Sequence, residues 1–198
     1  MPSSGTDSVS IAPHQELELK AVVADPDDLV QRLIRAGATL LFKGSMEDRR
    51  YDRGNELTAR DEVLRTRLLT SETTRESVLG WKGPTRLSPE GYKLREELEY
   101  PVMNGAPADP LVLALGYSVT YQIHREITVY RLGQATVRVE RYPRMDVLVE
   151  VEGMPAHIER AIEVTGIARG QFVADSLSEF VTRFEQRTGQ RALVARTP

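Results

Sequence analysis

Charged and apolar residues alternate along segment after segment of this chain. The first segment, HQELELKAVV (14–23), places Glu16, Glu18 and Lys20 at every second position, with apolar residues between them. Successive side chains of a β-strand point to opposite faces, so the alternation predicts strands with one charged and one apolar face. The apolar faces must be buried in a core, and the charged faces need water or partners of opposite charge.

The same pattern recurs in later segments. Its charged positions are Arg65 and Arg67, then Lys93, Arg95, Glu97 and Glu99, then Arg138 and Glu140, and finally Glu150 and Glu152. Any one of these segments is typical of an antiparallel sheet with a solvated face. Carboxylates two residues apart on several strands repel one another unless a cation lies between them, and planar guanidinium groups suit phosphate oxygens. The set as a whole predicts a polyphosphate held together with Mg²⁺ or Mn²⁺.

Eight strand-like segments and four helical ones are visible. The strands are predicted at 14–23, 40–51, 63–69, 77–83, 91–102, 121–132, 133–142 and 144–153. Helices are predicted at 25–37, from Asp25 and Pro26 to Gly37, and at 109–116, from Asp109 and Pro110 to Gly116. Two more are predicted at 155–166 and 174–189. An apolar stripe in the last region is predicted to pack on the sheet: Phe172, Leu177, Phe180, Val181 and Phe184. A closed antiparallel barrel would aim all these charged faces inward, with the helices covering the apolar faces outside.

Composition narrows the function classes. The chain has no cysteine, which excludes disulfides and thiolate chemistry, and its net charge of −3 argues against a nucleic-acid partner. Its three histidines lack metal-ligand spacing. No apolar run suggests a membrane span or a signal peptide, so we expect a cytoplasmic protein. The predicted organisation is a disordered tail at 1–12, one domain at 13–190 and a frayed end at 191–198.

Two parts of the chain resemble each other. QELELKAVVADPDDLVQRLIRAG and EELEYPVMNGAPADPLVLALG share a Glu-x-Glu strand, an Asp-Pro helix start and a terminal Gly. Glu97 aligns with Glu16, and Glu99 aligns with Glu18. We expect two related halves that each contribute a charged strand to one shared space.

The ordered motifs resemble the CYTH domain of the triphosphate tunnel metalloenzymes. Glu-x-Glu-x-Lys at 16–20 is similar to the signature of that superfamily, which includes class IV adenylyl cyclases, thiamine triphosphatases and inorganic triphosphatases. The resemblance continues through LRTRL, WKGP, LREELE, LGY, Arg125, Glu140 and VEVE, and it covers about 14–185.

The resemblance implies an α+β fold, a closed eight-stranded antiparallel β-barrel with the helices packed outside. This tunnel is expected to bind a triphosphate with one or two divalent ions. The metal ligands it implies are Glu16, Glu18, Glu140, Glu150 and Glu152. The phosphate-binding residues it implies are Lys20, Arg65, Arg67, Lys82, Arg95 and Arg125, and Glu97 and Glu99 also line the tunnel. Glu16, Glu18 and Lys20 are predicted to take part in catalysis. A homodimer is a further expectation from the resemblance.

The sequence also departs from the family pattern. Where the family often has Lys-x-Arg, Arg125 takes the first place and Ile127 the second, so a phosphate donor is missing, and Arg138 is predicted to replace it. Asp146 and Leu148 stand in place of a Gly-x-Phe pair. The leading prediction is a class IV adenylyl cyclase-like enzyme. A triphosphatase is the alternative, and a binding module for a nucleotide or polyphosphate is the third possibility.

Overall fold

The computed structural model describes residues 14–195, so the predicted tail at 1–12 lies outside the described residues. The strands are β1 His14–Val22, β2 Thr39–Asp52, β3 Val63–Thr70, β4 Arg75–Lys82, β5 Arg86–Leu87, β6 Lys93–Val102, β7 Ser118–Leu132, β8 Ala135–Arg141 and β9 Leu148–Glu152. The helices are α1 Pro26–Arg35, α2 Asp109–Ala114, α3 Pro155–Thr165 and α4 Leu177–Thr188. Short 3₁₀ turns lie at Thr58–Arg60, Met103–Gly105 and Arg169–Gln171.

Eight antiparallel strands close into a ring. Their order is β1-β9-β8-β7-β2-β3-β4-β6, and β6 pairs back onto β1. The two-residue β5 lies outside the ring, beside β6, in a segment expected to be a loop. This confirms the predicted α+β barrel. The two similar Glu-x-Glu segments, β1 and β6, are direct neighbours, because Glu16 lies opposite Arg95 across the ladder.

The strand register brings the charged positions onto one face. Lys20 lies opposite Glu150, and Glu150 lies opposite Arg138, so the charged residues of β1, β9 and β8 all point into the barrel. The intervening residues point outward into the hydrophobic core, where Leu19 and Val151 are buried against Ile158 of α3. Each such side chain contributes about 1.5–3 kcal/mol on burial. The fold is thus a barrel whose core lies between its outer surface and the helices.

Local sequence explains where the helices begin. The Asp25 side chain accepts hydrogen bonds from the backbone N–H groups of Asp27 and Asp28, at 3.1 and 3.0 Å, and so caps α1 as predicted. The α2 helix begins at Asp109 as predicted but ends at Ala114, two residues before Gly116, and its N-cap is Ala108. The Asp109 carboxylate instead accepts hydrogen bonds from Arg49, at 2.9 Å, and from Tyr51, which ties α2 to β2.

The C-terminal region packs against the barrel. Phe172, Phe180 and Phe184 are buried, as the apolar stripe predicted. Residues 193 and 194 do not fray as predicted, because the Val194 carbonyl accepts a hydrogen bond from the His124 N–H at 2.7 Å, and Leu193 pairs with Arg144. No helix within residues 14–195 combines the length and apolar character needed to span a bilayer.

Candidate functional site

The barrel encloses a charged cavity of about 810 Å³. Every site residue predicted from the sequence lines it: Glu16, Glu18, Lys20, Arg65, Arg67, Lys82, Arg95, Glu97, Glu99, Arg125, Arg138, Glu140, Glu150 and Glu152. The structure therefore brings the whole predicted set into one space. The contacts inside the cavity divide that set into groups.

Three carboxylates form a compact group on neighbouring strands, here called the carboxylate cluster. Glu16 of β1 meets Glu150 and Glu152 of β9, and one oxygen from each lies within 4.8 Å of the others. Burial and the nearby Glu16 charge raise the pKa of Glu152, which shows that negative charge is crowded here. Three hard oxygen donors at this spacing fit Mg²⁺ or Mn²⁺.

Glu18 and Glu140, also predicted as metal ligands, lie outside the carboxylate cluster. Glu18 accepts hydrogen bonds from the ammonium groups of Lys20, at 2.7 Å, and Lys93, at 2.6 Å. Burial favours its neutral form, but these lysines hold the pKa of Glu18 well below its usual range. Glu140 accepts a hydrogen bond from Arg125 Nε at 3.1 Å. The negative charges of both carboxylates are thus compensated by protein cations.

Lys82 joins the carboxylate cluster to β6. Its ammonium group donates to Glu16 Oε2 at 2.5 Å and contacts Glu97. Burial and the positive charge of Arg65 lower the pKa of Lys82 to about 7. The lysine predicted from WKGP therefore lies beside the metal-ligand candidates and not on the outer surface.

Four guanidinium groups line the lumen on β7, β2 and β3. In a ring of eight strands, β9 and β3 are four places apart, so the carboxylate cluster faces β3 across the cavity. The side chains that we call the arginine wall are Arg50 of β2, Arg65 and Arg67 of β3, and Arg125 of β7. Planar guanidinium groups suit phosphate oxygens, so the cavity has carboxylates on β1 and β9 and guanidinium groups with the chemistry of an anion site on β2, β3 and β7.

Asp48 holds two members of the arginine wall. Its carboxylate accepts hydrogen bonds from Arg67 Nε at 2.8 Å and from Arg125 Nη2 at 3.0 Å. Burial opposes its ionisation, yet the charges of Arg67 and Arg125 hold the pKa of Asp48 well below its usual range. Arg65 donates separately to Glu99, at 2.7 Å. These contacts fix the orientation of three guanidinium groups before any ligand binds.

Two further predicted phosphate ligands have protein partners. Arg138 contacts Glu150, and its Nε lies 3.6 Å from Glu140 Oε1. Arg95 donates to two backbone carbonyls, those of Gly83 and Asp61, both at 2.6 Å. Arg95 therefore connects two loops beside the cavity.

Some lumen residues were missing from the predicted set. Asp48, Arg50, Lys93 and Tyr142 all line the cavity. Asp48 and Arg50 have the two-residue spacing of the other strands. Glu47 precedes Asp48 and Arg49 lies between the pair, so charged and apolar residues do not alternate here. Tyr142 donates its hydroxyl to Glu140 at 2.6 Å.

The departures from the family pattern surround Glu140. Ile127 and Leu148 lie opposite Glu140 on the neighbouring strands, and both are buried. Ile127 thus supplies no donor to the lumen. Asp146 lies outside the barrel strands and pairs with Arg187 of α4 at 2.6 Å.

Comparison with solved structures supports the fold. No protein-family model matches the sequence, and no curated protein does. A “putative adenylate cyclase” from Vibrio parahaemolyticus is similar in structure, with a TM-score of 0.70 and 15% identity over 86% of this chain and 99% of that chain. The PH1012 protein from Pyrococcus horikoshii has a TM-score of 0.65 and 19% identity over 83% and 98% of the two chains.

A third similar structure carries a statement of activity. It is a “putative adenylyl cyclase” from Hippeastrum, described as having a dominant triphosphatase activity. Its TM-score is 0.58, with 15% identity over 94% of this chain and all of that chain. The chain therefore has the fold of a group that includes cyclase-like proteins. This fold is the antiparallel tunnel that the resemblance to the CYTH superfamily implied.

Proposed function

We propose that this protein is a Mg²⁺- or Mn²⁺-dependent enzyme that acts on the triphosphate group of a small molecule inside the barrel. The observation that carries the proposal is the placement of the carboxylate cluster opposite the arginine wall across one cavity. A triphosphate bound with a divalent ion needs both kinds of group. The predicted homodimer and cytoplasmic location stay predictions.

Each group has a role in this proposal. Glu16, Glu150 and Glu152 would hold the metal, which when bound supplies charge stabilisation at phosphate oxygens. The arginine wall binds and orients the phosphate chain, and its fixed guanidinium groups need little reorganisation as negative charge develops. Lys20 and Lys82 lie beside the carboxylate cluster and balance further charge.

The leading form of the proposal is a class IV adenylyl cyclase-like reaction. In it, the ribose 3′-hydroxyl of ATP attacks the α-phosphorus, and pyrophosphate leaves as cyclic AMP forms. The support is the motif set ELELKA, WKGP, REELE and LGY, together with the structural similarity to the Vibrio protein. The alternative is a triphosphatase, in which water attacks the terminal phosphorus. The activity described for the Hippeastrum protein favours it.

Product analysis distinguishes these reactions. Purified protein is incubated with Mg²⁺ or Mn²⁺ and, in separate reactions, ATP, tripolyphosphate or thiamine triphosphate. Cyclic AMP with pyrophosphate supports the cyclase, and orthophosphate supports the triphosphatase. Binding without product supports the third possibility, a binding module, and rejects the enzymatic proposal.

A matched pair of variants tests the site. Glu150→Gln removes one carboxylate of the cluster and should abolish metal-dependent turnover while the protein stays folded. Glu96→Gln removes a carboxylate from the exposed outer face of β6 and should leave turnover unchanged. Full activity in Glu150→Gln would contradict the assignment of the carboxylate cluster.

A further inference from the structure

Arg50 is the member of the arginine wall that the family pattern did not point to. It lies on the inner face of β2, two residues after Asp48, and it lines the cavity. Its cross-strand neighbours are Arg65 on β3 and Tyr121 on β7. The guanidinium carbon lies 5.6 Å from the centre of the Tyr121 ring, so the side chain is held against an aromatic face.

The contacts of Arg50 differ from those of the other cations in the lumen. Within residues 14–195, the cavity cations that have a carboxylate oxygen within 4.0 Å are Lys20, Arg65, Arg67, Lys82, Lys93, Arg95, Arg125 and Arg138. Arg50 has none among the described residues, and its guanidinium donates no hydrogen bond to them. Its N–H groups are therefore available to a ligand.

The surroundings of Arg50 favour an anionic ligand. Burial disfavours its charge, and the positive charges of Arg65 and Arg125 add to this, so its pKa is lowered despite the nearby Asp48. An arginine with a purely structural role would more often lie beside a carboxylate of its own. A phosphate oxygen between Arg50 and Arg65 would offset the repulsion between the two guanidinium groups.

We propose that Arg50 is a substrate-binding residue that contacts a phosphate oxygen of the triphosphate. The inference rests on the proposed function. It favours Arg50 over Arg138 as a phosphate ligand, because Arg138 already contacts Glu150 and lies near Glu140. A phosphate would have to compete with those carboxylates for Arg138, whereas Arg50 has no such competitor among the described residues.

Binding of tripolyphosphate to the full chain tests the inference. Calorimetry with Mg²⁺ compares the wild type with Arg50→Gln, whose neutral side-chain amide can still donate a hydrogen bond but carries no charge. A lost charge-assisted contact should raise the Kd for tripolyphosphate about 10- to 100-fold. The matched control is Arg49→Gln, on the same strand but on the outer face beside Asp109, and its Kd should stay within about two-fold of the wild type.

The outcomes separate the two proposals. If the wild type does not bind tripolyphosphate, the proposed function fails. If the wild type binds and Arg50→Gln binds equally well, only the role of Arg50 fails. An equal Kd for Arg50→Gln together with a weakened Arg138→Gln would return the role to Arg138.

A second measurement needs no variant. Phenylglyoxal modifies accessible guanidinium groups, and peptide mass spectrometry locates the modified arginines in the wild-type protein. Tripolyphosphate with Mg²⁺ should protect Arg50 and leave the modification of Arg49 unchanged. Modification of Arg50 at the same rate with and without tripolyphosphate would overturn the inference.

Discussion

Replacing Glu152 with glutamine should change stability in opposite directions with and without metal. Oxygens of Glu152, Glu16 and Glu150 lie within 4.8 Å of one another, and Glu152 has no cationic group within 4.0 Å among the described residues. Two unit charges at that separation repel by about 3.5 kcal/mol at an effective dielectric constant of 20. Partial exposure of Glu152 and the opposing charges of Arg138 and Lys82 reduce this gross value. We expect Glu152→Gln to stabilise the metal-free protein by about 1–2 kcal/mol.

The same substitution should remove the response to metal. A divalent ion at a hundred times its Kd stabilises the wild type by about 2.7 kcal/mol, because it binds only the folded state. In a chain of this size, 1 kcal/mol shifts the Tm by about 2–4 °C. The wild type should therefore gain about 5–10 °C with Mg²⁺ or Mn²⁺. Glu152→Gln should start about 2–8 °C higher without metal and gain little with it.

Thermal unfolding followed by circular dichroism, with EDTA or with excess metal, measures both effects. Glu96→Gln serves as the control, since it removes a carboxylate that faces solvent outside the barrel. It should respond to metal like the wild type. If Glu152→Gln lowers the Tm in EDTA, charge crowding is not the main property of the cluster. If its response to metal equals that of the wild type, Glu152 is not a ligand.

Two further predictions concern residues that hold the lumen together. Burial opposes the ionisation of Glu140, but the charges of Arg125 and Arg138 lower its pKa from an ordinary 4.5 to about 2. The ionised carboxylate therefore stabilises the fold fully above pH 4.5, and this stabilisation is lost as the pH falls through about 2. Urea unfolding should therefore show that Glu140→Gln has a lower unfolding free energy than the wild type. This difference should be largest near neutral pH and shrink below pH 4.5, and a difference independent of pH would contradict the prediction. Arg95 ties together the loops that carry Asp61 and Thr85, and the Thr85 N–H donates a hydrogen bond to Asp61 at 2.6 Å. Arg95→Met should therefore speed amide hydrogen exchange at Thr85 by about ten-fold or more. Unchanged exchange together with weaker tripolyphosphate binding would instead support the phosphate-binding role predicted for Arg95.

The residues of the inner face of the barrel could be predicted in the strands where charged and apolar residues alternate. Leu17 and Leu19 separate Glu16, Glu18 and Lys20, so β1 could be assigned its two faces from a local pattern. The β2 strand could not, because Glu47, Asp48, Arg49 and Arg50 put charge on both faces. The hydrogen bond from Arg49 to Asp109 and the place of Arg50 in the cavity lining show which arginine points outward.

Contacts between distant parts of the chain could not be predicted from the sequence. Glu16 and Glu18 are equivalent in the motif, yet Glu16 joins the carboxylate cluster while Glu18 pairs with Lys93. The register between β1 and β6 places Glu18 opposite Lys93, and no local pattern encodes a register between such distant segments. The anchoring of residue 193 by Arg144 is unpredictable for the same reason.

The carboxylate cluster joins residues from the two ends of the barrel sequence, β1 and β9. β1 is the first strand in the chain and β9 the last, and they are neighbours in the barrel. Their pairing has the greatest sequence separation in the sheet, and contacts of this kind form late because a long loop must be closed first. Glu16 and Glu150 therefore meet only when nearly the whole chain is in place. A growing chain or a partly folded barrel has no carboxylate cluster, so the proposed metal site exists only in the completed ring.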